Sequence, residues 1–319
     1  VQKLELDLRE KTVITECATG IYSCTPILAA LAGAKKVVAY GQNSQYGTFK
    51  EAKTDISKLC NALNIPQEIL LLTNSQQTLN TYLPQGDIIT NSGHLRPFNN
   101  NRLRMLKAGC VIPLMYEAWE FRKSDLCLKT CLKHDIVVAG TNERHSQIGV
   151  FNYLGPLVAK SLFEEGLELT ENNILLVCDN DFKYYINKSL TALGANVTHN
   201  NNNPDVELNA IVFAHTPLLS GGSLDIMKLN LPRKVPLCLH LWGDIDRSYF
   251  ITKWVPHNVP EPGHMGIKLS SLGVEPVVRL QGGGLKVGEI ISNNILKHNS
   301  VRKGIASSKH SGFIQLIEG

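Results

Sequence analysis

No stretch of this 319-residue chain approaches the roughly 18 consecutive apolar residues of a membrane-spanning helix, so no membrane partner is expected. The first ten residues are charged and lack the apolar core of a signal peptide, which points to the cytoplasm. Among the eight cysteines there is no C-x-x-C pair, and Cys110, Cys178 and Cys238 fall inside or at the ends of apolar stretches. That is how reduced, buried thiols are used, and it excludes a disulfide framework. Cys127 and Cys131 are four apart with His134 nearby, but no further ligand pair has zinc-site spacing, so no metal is expected. A block of basic residues is missing too. With a net charge of only +4 the chain offers no case for nucleic acid. There is no repeat of short period.

What is present is the composition of a soluble globular protein, long enough for two domains of ordinary size. The first half reads as repeated strand–helix units. Strands are expected at Thr12–Glu16, Lys36–Tyr40, Glu68–Leu72, Asp87–Thr90, Cys110–Met115 and Ile136–Ala139, with helices over Pro26–Ala32 and Thr48–Leu63 between the early ones. The second half repeats the pattern at Ile174–Val177, Asn196–Thr198, Ala210–Phe213 and Val235–Leu239. These strands are continuous apolar runs rather than alternating ones, which means that both sheet faces are covered. The fold class is therefore α/β, with parallel sheets flanked by helices. The asparagine run Asn200–Asn203, closed by Pro204, is expected as a loop or disordered tip. From His257 to Gly266 the density of proline and glycine excludes regular structure. A helix is expected over Val287–Lys297, then a polar, partly ordered tail.

In open α/β sheets ligands bind beyond the carboxyl ends of the strands, so the residues just past each strand are the candidates. Thr19 and Gly20 follow the first strand, His94 and Arg96 the fourth, Glu117 the fifth, and Glu143, Arg144 and His145 the sixth. In the second half His215-Thr216 and His240-Leu241-Trp242 fall in the same places. Arginine clamps a carboxylate or phosphate through two parallel hydrogen bonds, and histidine beside a carboxylate moves a proton near neutral pH. Loops are polar in any case, and Arg–Glu pairs within them are often structural. Within Tyr116–Arg122 the acids and Arg122 could pair with one another, and Trp119 and Phe121 could serve packing.

The segment Ala210-Ile211-Val212-Phe213-Ala214-His215-Thr216-Pro217-Leu218 resembles the cofactor domain of the D-2-hydroxyacid dehydrogenase family (formate and glycerate dehydrogenase-like), where an apolar strand ends in His-x-Pro-Leu. The likeness continues through Leu224–Leu229, a short helix in the family, and Val235–Asp246. The long helix expected over Gln147–Leu162 resembles the family's crossing between domains. Order and spacing carry the resemblance, over roughly residues 135 to 266. It implies two Rossmann-like domains with a cleft between them and, in the family, an NAD cofactor. The chain departs from the family at the chemistry. The fingerprint G-x-G-x-x-G should follow Ile174–Val177, but Cys178-Asp179-Asn180-Asp181-Phe182-Lys183 stands there. Side chains at all three glycine positions obstruct the pyrophosphate, and two aspartates oppose its charge. The acid expected about twenty residues on, which would hold the ribose, has no counterpart in Thr198-His199-Asn200. NAD is thus not expected in its usual site, and Asn180, His215 and Thr216 are left as weak cofactor-side candidates. Trp242 stands before Gly243 where the family carries its substrate-binding arginine. His257 or His264 could match the family's acid–base histidine, of which His264 is carried over.

Two further stretches could bind something. Arg279, Gly282, Gly283, Gly284 and Lys286 lie just before the helix expected from Val287, and free amides at a helix start make an anion site. The alternative is a glycine hinge. The segments Glu16–Gly20 and Lys36–Gly41 faintly resemble a methyltransferase nucleotide unit, implying S-adenosylmethionine. One glycine survives there, and Gly41-Gln42-Asn43 replaces the ribose-binding acid.

These readings give an N-terminal Rossmann-like or flavodoxin-like domain over 1–146, an interdomain helix over 147–166, a second Rossmann-like domain over 167–286, and a helix and tail over 287–319 packing back on the first domain. The expected function is a dehydrogenase-like protein that has lost its NAD loop and binds or transforms a small anionic metabolite in the cleft. Arg96 and Arg144 would hold the anion, and Glu143, His145 or His240 would manage protons. The alternatives are a non-catalytic scaffold or partner subunit, an NAD(P)-dependent oxidoreductase, or an S-adenosylmethionine-binding enzyme. The chain could assemble as a homodimer.

Overall fold

The computed structural model describes residues 1–200, 206–218, 222–229 and 231–317. Most of the asparagine run expected as a loop tip lies outside the described residues. The chain divides into two compact units, one of Val1–Gly149 with Val277–Gly319, the other of Val150–Pro276.

In the first unit β1 (Thr12–Glu16), α1 (Cys24–Leu31), β2 (Lys36–Tyr40), α2 (Phe49–Ala62), β3 (Leu70–Thr73), α3 (Gln76–Tyr82) and β4 (Ile88–Ile89) alternate. They are followed by α4 (Asn100–Arg104), β5 (Val111–Pro113), α5 (Leu128–Lys133) and β6 (Val137–Thr141). The second unit holds α6 (Leu154–Glu164), β7 (Asn173–Val177), α7 (Phe182–Ala192), β8 (Asn196–Thr198), β9 (Ala210–Ala214), β10 (Lys234–Trp242) and β11 (Ile251–Val255). The chain then supplies α8 (Glu275–His298), α9 (Val301–Ser308) and β12 (Ile314–Leu316). Local signals set several of these boundaries. The Thr48 hydroxyl, for instance, accepts from the Glu51 amide while the Glu51 carboxylate accepts from the Thr48 amide, a reciprocal cap that starts α2.

The first sheet has seven strands in the order β12-β6-β5-β4-β1-β2-β3, and the second has five in the order β11-β10-β9-β7-β8. All pairings are parallel except that of β12 with β6. Chain order reverses between β1 and β4 in the first sheet and between β7 and β9 in the second. Each of these is a topological switch point. The continuous apolar runs are explained by burial on both faces. Ile174, Leu176, Val212, Leu239 and Leu241 pack into one core, while Leu175, Val177, Ile211, Phe213 and Cys238 pack into another across the same sheet.

Two expectations are corrected by the C-terminal part. The helix does not begin at Val287 but at Glu275, so Gly282, Gly283 and Gly284 lie inside it. Glycine costs a helix about 1 kcal/mol relative to alanine, and packing overrides that preference here. A Cβ would come within 2.8 Å of Leu4 Cδ1 at Gly282, 2.7 Å of Ile148 Cδ1 at Gly283, 2.3 Å of Met115 Sδ at Gly284 and 2.6 Å of Ile88 Cγ2 at Gly288. The glycines are a contact stripe that lets a long helix lie close on the first unit. The tail is likewise ordered as α9 and β12, its first turn capped by the Ser300 hydroxyl, which accepts from the Lys303 amide. Strand β11 was not expected at all.

Gly288→Ala should therefore destabilise the chain by about 1–3 kcal/mol in urea denaturation, because Ile88 is buried in β4 and cannot yield. An exposed helix glycine would instead gain up to about 1 kcal/mol from the same change, and that outcome would contradict the packing role.

Candidate functional site

The carboxyl edge of the first sheet carries two groups of buried polar residues. The first lies at the β1/β4 switch point. Glu16 is the last residue of β1, and burial pushes its carboxyl up to about 7, opposed by the charge of Arg96 and a hydrogen bond with Ser92. The hydroxyls of Thr15, Thr90 and Ser92 are linked at 2.8 and 2.7 Å. Beside them Asn91 Nδ2 donates to Tyr116 Oη and Asp125 Oδ2, both at 3.0 Å, and Tyr116 Oη donates to Asp125 at 2.7 Å. Arg96 Nη1 stands 3.7 Å from the same Asp125 oxygen.

The second group is built where β5 and β6 end. A short helical turn, Ala118–Glu120, is capped reciprocally by Glu117 and Glu120. Glu117 is fully buried and well supplied with donors. The Glu143 amide reaches its Oε1 at 3.0 Å, and its Oε2 accepts from Trp119 Nε1 at 2.6 Å and Gln315 Nε2 at 2.9 Å. Arg144 Nη2 lies 3.4 Å from that Oε2. Burial raises the Glu120 carboxyl to about 7, and burial next to Glu120 and Glu117 raises Glu143 well above the ordinary carboxylate range. A carboxyl in its protonated form can donate a hydrogen bond as well as give up a proton. His145 stacks on Phe313 at 3.8 Å between ring centroids, and its Nδ1 accepts from the Gln147 amide. Burial holds its pKa below the usual histidine value. The structure thus brings the expected Glu117, Glu143 and Arg144 together, His145 instead stacks on Phe313, and Arg122 lies over the Tyr116 ring.

Thr19 and Gly20 serve the chain itself. The Thr19 hydroxyl donates to the Tyr46 carbonyl, and the Gly20 amide to Asp55. His94 is half-buried and its pKa is lowered by burial. The expected anion site at Arg279, Gly282, Gly283, Gly284 and Lys286 is corrected, since these residues lie within α8 rather than before it, where free amides are not on offer. Arg279 Nη1 donates to the Ile148 carbonyl, and Lys286 Nζ donates to Glu289 and to the Glu5 carbonyl.

In the second unit the loops after β7 and β9 are tied together by side chains. Asp179 Oδ1 accepts from the Thr216 amide at 2.7 Å and from the Thr216 hydroxyl at 3.0 Å, and its other oxygen lies 3.4 Å from His215 Nε2. Asn180 Nδ2 donates to the Ala214 carbonyl at 2.9 Å, while its Oδ1 accepts from the Phe182 amide, the first of α7, at 3.0 Å. Phe182 itself packs against Phe151 and Trp242. Trp242 Nε1 donates to the Gly263 carbonyl. His264 is exposed, near Glu261 and the Pro262 carbonyl.

His240 is a correction. Its Nε2 donates to the Gly243 carbonyl at 2.5 Å and its Nδ1 accepts from Arg247 Nη2 at 3.1 Å, with 1% of the residue exposed. Burial lowers its pKa. Both ring nitrogens are engaged, so the residue braces the loop after β10 and does not fit the proton-carrying role expected of it.

Asp125 and Gln315 were not among the sequence candidates, while Glu16, Asn91, Ser92 and Glu120 fell within stretches the sequence pointed to without being singled out. Glu16 had a signal, as the one acid in an apolar strand. Gln315 had none, because its partner lies 198 residues away.

The buried acids make stability depend on pH in a stated direction. The folded pKa of Glu16 lies above its ordinary 4.5, so between 4.5 and about 7 the folded chain keeps a proton that the unfolded chain has lost. Stability should fall as pH rises from 5 to 8 in urea denaturation, and Glu16→Gln should remove up to about 3 kcal/mol of that fall. An unchanged slope in the variant would contradict the assignment.

No protein-family model matches the chain, and no curated protein matches it. Solved structures do. Similar ones include the dipicolinate synthase A chain from Bacillus subtilis, with 10% identity over 92% of this chain and 98% of that chain at a TM-score of 0.52. Another is the pyruvate reductase of Chlamydomonas reinhardtii, with 10% identity, 92% and 98% coverage and a TM-score of 0.51. A third is TP0037 from Treponema pallidum, a D-lactate dehydrogenase, with 7% identity, 90% and 97% coverage and a TM-score of 0.50. At these identities the likeness speaks for the architecture alone, and the fold is that of the D-2-hydroxyacid dehydrogenases which the sequence resembles.

Proposed function

We propose that this chain is a dehydrogenase-like protein that has given up ordinary dinucleotide binding and holds a small anionic metabolite at the carboxyl edge of its first sheet. One observation carries the reading. At the β7/β9 switch point, where a dinucleotide's pyrophosphate needs bare amides, the Thr216 amide is taken by Asp179 and the Phe182 amide by Asn180. A carboxylate and a carboxamide oxygen fill the role of phosphate oxygens. The negative charge of Asp179 adds a repulsion that a diphosphate would have to overcome.

The anion-binding half of the reading is supported by Arg96, part-buried, and Arg144, exposed, each beside a buried carboxylate at the first sheet's carboxyl edge. Glu120 and Glu16, both raised to about 7, are acids suited to proton exchange near neutral pH, and burial beside Glu120 and Glu117 raises Glu143 above the ordinary carboxylate range. Together these groups would fix an anion and exchange a proton with it.

A thermal-shift series with NAD, NADP, S-adenosylmethionine and small mono- and dicarboxylates tests this. A carboxylate present at about 100 times its dissociation constant should add about 2.7 kcal/mol of stability, and Arg96→Ala or Arg144→Ala should reduce that gain. NAD and NADP should leave the melting temperature unchanged. Stabilisation by NAD that disappears when Asp179 or Asn180 is altered would show a working dinucleotide site and overturn the proposal.

A further inference from the structure

The loop after β4 comes so close to Glu16 that its backbone lies against the carboxyl. A Cβ on Gly93 would sit 2.2 Å from Glu16 Oε2, and Gly93 has a φ of 47°, where side chains are disfavoured. The Ser92 hydroxyl is the hydrogen-bond partner of this carboxyl, and Arg96 is the cation whose field it feels. Arg96 nevertheless leans toward Asp125, at 3.7 Å, beyond hydrogen-bond distance. An acid and a guanidinium thus stand at the same switch point without closing on each other. Asn91 adds a third group. It is 1% exposed, its Nδ2 is committed to Tyr116 and Asp125, and its Oδ1 is buried with no hydrogen-bond partner among the described residues. The planar amide turns that oxygen away from Tyr116 and Asp125.

We propose that the β1/β4 switch point binds the ammonium and carboxylate of an α-amino acid, with Glu16 and Asn91 Oδ1 accepting from the ammonium and Arg96 clamping the carboxylate. The inference rests on the anion-binding reading above and names its ligand class. The complementarity is one of donors and acceptors. Once ionised, the Glu16 carboxylate and the orphaned Asn91 amide oxygen are both acceptors, and an ammonium, whose charge favours that ionised form, offers three donors and no acceptor. A 2-hydroxy acid offers one donor at that position and a 2-oxo acid none, so neither satisfies both acceptors while Glu16 is ionised. The guanidinium fork matches a carboxylate in two parallel hydrogen bonds, which fixes the α-carbon between the two charges.

Isothermal titration of the full chain with matched sets decides this: alanine, lactate and pyruvate; glutamate, 2-hydroxyglutarate and 2-oxoglutarate; phenylalanine and phenyllactate. In at least one set the amino acid should bind about tenfold or more tightly than its counterparts, a difference set by the unpaired acceptor. Glu16→Gln should erase that preference while weak carboxylate binding persists, and Arg96→Ala should weaken all members of the set. Hydroxy or oxo acids binding as tightly as their amino acids would overturn the inference and leave the anion reading standing, as would a preference undiminished in Glu16→Gln. Silence across every set would overturn both. The wild-type ranking stands without the variants, should either fail to fold.

Discussion

A parallel sheet covered on both faces leaves one place for polar chemistry, the ends of its strands. Here the constraint is severe, because Ile174 to Val177, Ile211 to Phe213 and Cys238 to Leu239 are all buried, neighbours along each strand facing opposite cores. Any ionisable group in the interior of such a layer must find partners or lose its charge. Glu16, at the tip of β1, and His240, near the end of β10, show the two outcomes. Glu16 is held toward its neutral form by burial, and His240 is kept uncharged with both nitrogens engaged. In the first unit Glu16, Glu117 and Glu143 are buried at or just beyond the carboxyl ends of β1, β5 and β6.

The two switch points use that edge differently. In the second sheet Asp179 and Asn180 turn inward and satisfy the backbone donors around them, so the loops after β7 and β9 form a closed network. In the first sheet the networks around Glu16 and Asn91 stop short of closure, with Arg96 displaced toward Asp125 and Asn91 Oδ1 unpaired among the described residues. A polar group left unpaired in a buried position is destabilising, by about 1–3 kcal/mol, and such groups concentrate where a ligand completes them. This contrast is the reason the proposed function is sought in the first unit.

The architecture was legible in the sequence because its signal is local. Apolar runs such as Lys36–Tyr40 and Ala210–Ala214 gave strands in the expected places, and the absent glycines after Val177 foretold a loop filled by side chains. Contacts distant in sequence were not legible. The stripe of glycines in α8 reads as a loop until Leu4, Met115 and Ile88 are seen to press on it. Strand β12 is three residues long and pairs with β6, more than 170 positions earlier, so no periodicity could announce it. The cluster at Glu117 was half visible. Glu143 and Arg144 follow a strand and were expected as site residues, whereas Gln315 joins them from the chain's last strand. His240 misled for the opposite reason, since a histidine near a strand end looks free until Gly243 and Arg247 are placed around it.

The central claim is that the chain's own side chains occupy the amide donors a dinucleotide would need. Amide chemical shifts of Thr216 and Phe182, followed by nuclear magnetic resonance during titration with NAD, measure this directly. Both signals should stay where they are at all NAD concentrations, because their protons remain bonded to Asp179 and Asn180. Saturable displacement of both signals would mean that the diphosphate replaces those side chains, and would contradict the account.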